Sequence, residues 1–309
     1  MDTAHRRAKV DFSFSPEQER IREAIAKLCA RFDDAYWLKR DREGGFPADF
    51  HQAFAKDGWL GIAMPEAYGG AGLGITEAAI MTQAIAESGA GFSGASAVHM
   101  NIFGLNPVVV YGTEEQKKRW LPPLIAGKER ACFAVTEPNT GLNTKQIKVK
   151  AEKRDGKYFV SGQKVWISTA QVAEKILLLA RAEAGLTLFY TDLDRKYVEV
   201  REIEKMGRHA VDSNQLFFDA LPVPEADRIG EAGKGFEYIL HGMNPERILI
   251  AAELVGLGRC AVARAAKYAK ERIVFDRPIG QNQAIQHPLA ANWMALEAAN
   301  LMTFQAAWL

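Results

Sequence analysis

The chain has 309 residues, enough to bury a large core and to divide into two or three structural units. With 48% hydrophobic and 25% charged residues and a net charge of +1, it has the composition of an ordinary globular protein. It carries no basic stripe of the kind nucleic-acid binding needs, no polybasic tail beside an apolar anchor, and no apolar run long enough for a bilayer, so neither nucleic acid nor membrane is expected as a partner.

The N-terminal stretch MDTAHRRAKVDFSF has charge but no apolar block behind it, which argues against a secretory signal. Helices are then expected over 1–128. Ser15 reads as an N-cap, Pro16 as the first helical residue and Gln18 as the far side of a capping box. Ile21, Ile25, Leu28 and Phe32 recur behind them at helical spacing. PEAYGGAGLG is a glycine-rich turn, without the G-x-G-x-x-G spacing of a dinucleotide site, before a helix starting near Thr76. A second capping box, Thr113 with Gln116, opens a helix that Pro122-Pro123 is expected to interrupt.

From 129 to 232 the period shortens. ACFAVT, IKVKAEK, KYFVSGQKVWIS, KILLLARA, LTLFYTDL, YVEVREI and QLFFDA are β-branched or aromatic runs broken by Gly, Asn and Asp, which suggests an antiparallel barrel or sandwich. Helix returns over 233–309. Asn244-Pro245 reads as an N-cap and first helical residue, placing Glu246 in a first turn where the helix dipole favours its charge. Ile248, Ala252, Val255, Val262 and Ala269 give an apolar face rich in small neighbours. Arg272 to Pro278 is expected as a loop. A last helix carries Leu289, Trp293, Leu296, Leu301, Phe304 and Trp308 and ends without a cap, which reads as an incomplete helical bundle. The fold class is therefore α+β: an all-α unit, a β unit and an α-helical unit. Three dispersed cysteines, Cys29, Cys132 and Cys260, fit a reducing, cytoplasmic setting, and six scattered histidines offer no metal spacing.

Several segments carry a specific resemblance: MPEAYGGAG (64–72), YGTEEQKKRWLPPLIAGKE (111–129), AVTEPNTGLNT (134–144), GQKVWIS (162–168), KMGRHAVDSNQLFFDALPVP (205–224) and RIVFDRPIGQNQAIQH (272–287). In this order they resemble the signature segments of the acyl-CoA dehydrogenase family, over essentially the whole chain. The resemblance implies bound FAD and oxidation of an acyl-CoA thioester to the trans-2-enoyl-CoA, with electrons passed to an electron-transfer flavoprotein. The same fold serves flavin oxidases, monooxygenases and non-catalytic flavin binders, and these remain open at this point.

By the same resemblance, Phe133, Val135 and Thr136 meet the isoalloxazine edge, and Trp166, Ile167 and Ser168 line its other side. Each of these also reads as an ordinary strand residue. Gly141 would let the backbone approach the pyrophosphate. Leu142 stands where the family often has serine and lacks the hydroxyl donor. Arg272, Phe275 and Gln283 match positions that hold the adenine end of FAD in a neighbouring subunit, which implies a homodimer or homotetramer; Arg272 equally reads as a solvated helix-end residue. Asp276 replaces a common glycine there. Glu246 matches one of two positions for the base, the other lying beyond residue 309. Asn244 and Arg247 match positions near the thioester and pantetheine, with Arg247 also readable as a structural ion-pair partner. His99 and Met100 are candidates for the acyl pocket or, alternatively, a satisfied core pair.

Overall fold

A computed structural model of the protein describes residues 12–309; residues 1–11, which hold most of the charged N-terminal stretch, lie outside the described residues. Its layout is the expected one of a helical unit, a sheet unit and a second helical unit.

The first unit contains α1 (Pro16–Cys29), α2 (Asp34–Glu43), α3 (Ala48–Lys56), α4 (Ile75–Ile85), α5 (Gly91–Phe103), α6 (Asn106–Tyr111) and α7 (Glu114–Ile125). Both capping boxes form. Gln18 N donates to Ser15 Oγ at 3.2 Å, and Gln116 N donates to Thr113 Oγ1 at 3.2 Å. Pro122-Pro123 does not interrupt α7, which runs on to Ile125. The pair falls in the last turn, where the carbonyl of Pro122 still accepts from Ala126 N and that of Pro123 from Lys128 N. A proline near a helix end costs less than one in its middle, because few downstream turns remain to be displaced.

All seven expected runs are strands: β1 (Ala131–Ala134), β2 (Lys150–Arg154), β3 (Lys157–Ser168), β4 (Lys175–Ala182), β5 (Gly185–Asp192), β6 (Val198–Glu202) and β7 (Ser213–Pro224), with a short β8 (Arg228–Ile229) added. They form one sheet in the order β6-β7-β3-β2-β4-β5-β8. Most neighbours are antiparallel, and only β1 and the end of β2 run parallel to β4. One face buries Val160, Ile176, Leu178, Phe189 and Leu216 in a core of its own, while Leu177, Leu188 and Tyr190 pack against Trp120 of α7.

The chain then enters α8 (Gly235–Glu271), the longest helix, and after a two-strand turn, β9 (Ile273–Val274) and β10 (Arg277–Pro278), ends in α9 (Gln283–Trp308). Helix α8 organises the molecule: it packs on α4, α5, α6 and α9, puts Leu249 and Ala252 in the core of the first unit, and puts Tyr238 and Ile239 in the core shared with the sheet. Its small residues permit this closeness. A Cβ on Gly256 would lie 2.3 Å from the carbonyl oxygen of Gln83 in α4. No helix among the described residues is long and apolar enough to cross a membrane, and no group of three potential metal ligands occurs among them.

Candidate active site

The segment after β1 is held by a buried charge pair. Lys164 is fully buried, and its Nζ donates to the Val135 carbonyl at 2.8 Å and to Glu137 Oε1 at 3.1 Å. Glu137 also accepts from the backbone N–H groups of Lys148 and Val149, and it closes a tight turn with Thr140. A buried carboxylate and ammonium are tolerated because nearly all their bonding capacity is met. The Val165 N–H donates to the Thr136 carbonyl at 3.0 Å, which puts Val135 and Thr136 beside the end of β3.

There the β3–β7 register breaks between Lys164 and Ile167, and Trp166 takes a left-handed φ of 63°. Bulges of this kind re-aim a side chain, and a non-glycine residue pays for the conformation elsewhere in the fold. The indole emerges 63% exposed, while Ile167 turns inward and is buried, its carbonyl accepting from Asn214 Nδ2 at 2.8 Å. The Thr136 hydroxyl has no partner among the described residues. Val135 is buried, so it too offers main chain; Phe133 is half-buried. An exposed aromatic face next to a free hydroxyl and main-chain polar groups fits a flat ring edged with hydrogen-bonding atoms, as FAD has. A Cβ on Gly141 would meet no atom within 4 Å, and the side chain of Leu142 is fully exposed; neither obstructs an approaching anion.

Glu246 does not begin a helix. Helix α8 is continuous from Gly235, so Pro245 lies in its interior and Asn244 is not a cap. Pro245 has no N–H for the carbonyl of His241; Asn106 Nδ2 donates to that oxygen instead, at 2.7 Å. The dipole expected to favour the charge of Glu246 is thus more than two turns away and plays no part. Burial instead raises the Glu246 carboxyl above its ordinary value, opposed by the positive character of His99 and Arg247 and assisted by the negative charge of Glu253. Residues four apart share a helix face, and one turn before Glu246 lies Gly242, whose Cβ would come within 3.5 Å of the Phe133 ring. The same Cβ would lie 3.0 Å from the Phe103 carbonyl oxygen of α5, so Glu246 lies on the face of α8 turned toward α5 and the Phe133 ring.

Asn244 and Arg247 are exposed and bond each other, Arg247 Nη1 donating to Asn244 Oδ1 at 2.7 Å. His99 is the satisfied core histidine: its Nδ1 lies 2.7 Å from Oε1 of the fully buried Glu253, and Met100 is buried beside it. Glu253 and Arg208 were not anticipated. Glu253 is the lone charge in ILIAAELVGLG, a readable signal; Arg208 lies within the motif KMGRHAVDSNQLFFDALPVP, whose pattern does not single it out. Its guanidinium donates to Ser96 Oγ at 3.1 Å and to Ser168 Oγ at 3.3 Å, joining α5 to the end of β3.

The structure does not bring Arg272, Phe275 and Gln283 to these groups. They follow the far end of α8, about 39 Å along the helix from Glu246 at 1.5 Å per residue. All three are exposed, and Phe275 and Asp276 form the β9–β10 turn, both with φ above 50°.

Residues 15–128, 132–221 and 233–309 match, in turn, the N-terminal, middle and C-terminal domains of acyl-CoA dehydrogenase. The chain is 33% identical to acyl-CoA dehydrogenase FadE12 of Mycobacterium tuberculosis, over 97% of its own length and 79% of that protein. It is also similar to a glutaryl-coenzyme A dehydrogenase solved with glutaryl-CoA, with a TM-score of 0.92 and 28% identity over 96% of this chain and 78% of that one. Butyryl-CoA dehydrogenase from Megasphaera elsdenii gives a TM-score of 0.91 and 26% identity over 96% and 80%. The chain belongs to the acyl-CoA dehydrogenase family, FAD-dependent oxidoreductases.

Proposed function

We propose that the protein removes the α-proton and β-hydride of a saturated acyl-CoA to give the trans-2-enoyl-CoA, with Glu246 as the base and an electron-transfer flavoprotein as electron acceptor. The observation that carries this reading is a half-buried carboxylate of raised proton affinity on the face of α8 turned toward α5 and the Phe133 ring. Bound FAD supplies a hydride-accepting N5, chemistry that no side chain offers.

The chain's own residues do the rest. Glu246 takes the α-proton, and partial burial makes it a stronger base than a free carboxylate. Val135 and Thr136 hold the ring edge, Trp166 covers a ring face, and Phe133 and the main chain of Ile167 close the cleft. Ser168 stands beside the reacting ring atoms, and the backbone at Gly141 and Leu142 leaves room for the pyrophosphate. Asn244 and Arg247, exposed at the mouth, meet the thioester and pantetheine. Arg272, Phe275 and Gln283 hold the adenine end of FAD bound mainly to another subunit, so the working protein is a homodimer or homotetramer. The free state of all three cysteines accords with a reducing, cytoplasmic setting. The three units run 1–128, 129–232 and 233–309.

The direct test incubates the flavin-loaded protein with butyryl-, octanoyl- or palmitoyl-CoA and an artificial electron acceptor, then identifies the thioester by mass spectrometry. The enoyl product is expected from at least one of them. Unchanged thioester in every case, with flavin bound, overturns the reading.

A further inference from the structure

Glu253 is the least explained group in the molecule. It is fully buried at the contact of α8 with α5, yet its Oε2 has no hydrogen-bond partner. Its other oxygen is held by His99 at 2.7 Å. A carboxylate in such surroundings costs several kcal/mol even when half satisfied, and an apolar residue would pack there without that penalty. Its place on the helix offers a reason. Residues 246, 249 and 253 lie at i, i+3 and i+7, one stripe of α8, with Leu249 buried between the two carboxylates. Across the stripe stands His99 of α5, which bonds Glu253 and, when protonated, lowers the proton affinity of Glu246. From the sheet unit comes Arg208, half-buried, with a left-handed φ of 55°, its charge favoured by that of Glu253 while it bonds Ser96 and Ser168.

We propose that the His99–Glu253 pair, with Arg208 beside it, is the positioning device of Glu246, setting the charge that its carboxylate meets on this stripe of α8. The inference rests on Glu246 being the base. None of the three residues touches the reacting atoms; they act through Glu246 and, in the case of Arg208, through Ser168. The groups facing Glu246 are His99 from α5 and Arg247 and Glu253 from α8, and those facing Glu253 are His99 and Arg208. The two members of the pair have opposite effects: the negative charge of Glu253 makes Glu246 hold its proton more tightly, and the positive character of His99 makes it hold it less. Splitting one hydrogen-bonded pair from either side should therefore move the base in opposite directions, which a purely structural contact would not do.

The test is the pH dependence of anaerobic flavin reduction, measured by stopped flow with whichever of butyryl-, octanoyl- and palmitoyl-CoA reduces the wild type. Glu253→Gln should move the acid limb of the rate profile to lower pH, and His99→Asn should move it to higher pH. Both limbs coinciding with wild type, while Glu246→Gln abolishes reduction, overturns this inference and leaves the base assignment standing. Equal shifts in the same direction also overturn it. Rapid reduction by Glu246→Gln removes the base assignment and the inference together. If Glu253→Gln does not fold, the sign of the His99→Asn shift decides alone.

Discussion

His51 of α3 shows how far a single buried side chain can govern acid stability. It is buried with Nε2 unpaired, and desolvation, helped by the Arg130 charge, pushes it down from 6.5 to about 4. A depressed histidine stays neutral in the fold while the unfolded chain takes up a proton, so its contribution is complete above pH 6.5 and is lost as pH falls toward 4. The shift corresponds to about 3 kcal/mol. Denaturant midpoints at pH 7 and pH 4.5 should differ less in His51→Phe than in wild type; an unchanged difference would refute this. At Lys164 the expected effect concerns the cofactor. Lys164→Met leaves the Val135 carbonyl without its side-chain donor and the buried Glu137 carboxylate without its counter-charge, costing about 3–5 kcal/mol of stability. FAD should dissociate more readily, as equilibrium dialysis would show. The family resemblance singles out Trp166 and Glu246, but their surroundings are not legible in the sequence. The strain at Trp166 arises from a register break between two strands, and the partner of His99 comes from a helix 154 residues away, neither of which a local pattern contains.

At the scale of elements, the strands and capped helices were legible because each carries its own signal. β-branched or aromatic runs broken by Gly, Asn and Asp mark the seven expected strands, and the boxes at Ser15 and Thr113 mark two helix starts. Pro245 misled for a physical reason. A proline after asparagine has the local form of a helix start, and only the amide of Asn106, on a different helix, lets α8 run through it. Asn106→Ala should then loosen α8 near Glu246, costing about 1 kcal/mol and speeding amide exchange over the preceding turn. The glycine and alanine content of α8 correctly announced close helix crossings. At Gly256 the neighbour is a backbone carbonyl that cannot step aside, so Gly256→Ala should lower stability by about 1–3 kcal/mol, measured by urea unfolding. A neutral result would mean that α4 and α8 separate easily.

For the whole molecule, the proposed base Glu246 and the proposed adenine contact Arg272 lie about 39 Å apart along α8. In the proposed oligomer a second copy brings its β9–β10 turn to the first copy's sheet. Phe275 at 94% exposure, and the exposed Trp293, Leu301, Met302 and Trp308 of α9, are apolar surface of the kind such contacts cover. Arg272→Ala should weaken FAD retention while leaving the fold intact, and its deficit should be shared by every subunit of the oligomer. The family and its three-part layout were legible from ordered segments spread along the chain, whereas the proposed joining of distant parts by a second copy is a feature no single stretch encodes. The most direct test of the central claim is an anaerobic titration of the flavin-loaded protein with saturated acyl-CoAs, following the flavin band at about 450 nm. The account predicts bleaching by at least one chain length, slowed by about 10²–10⁴-fold in Glu246→Gln. A flavin that no acyl-CoA reduces, or equal bleaching by Glu246→Gln, would contradict it.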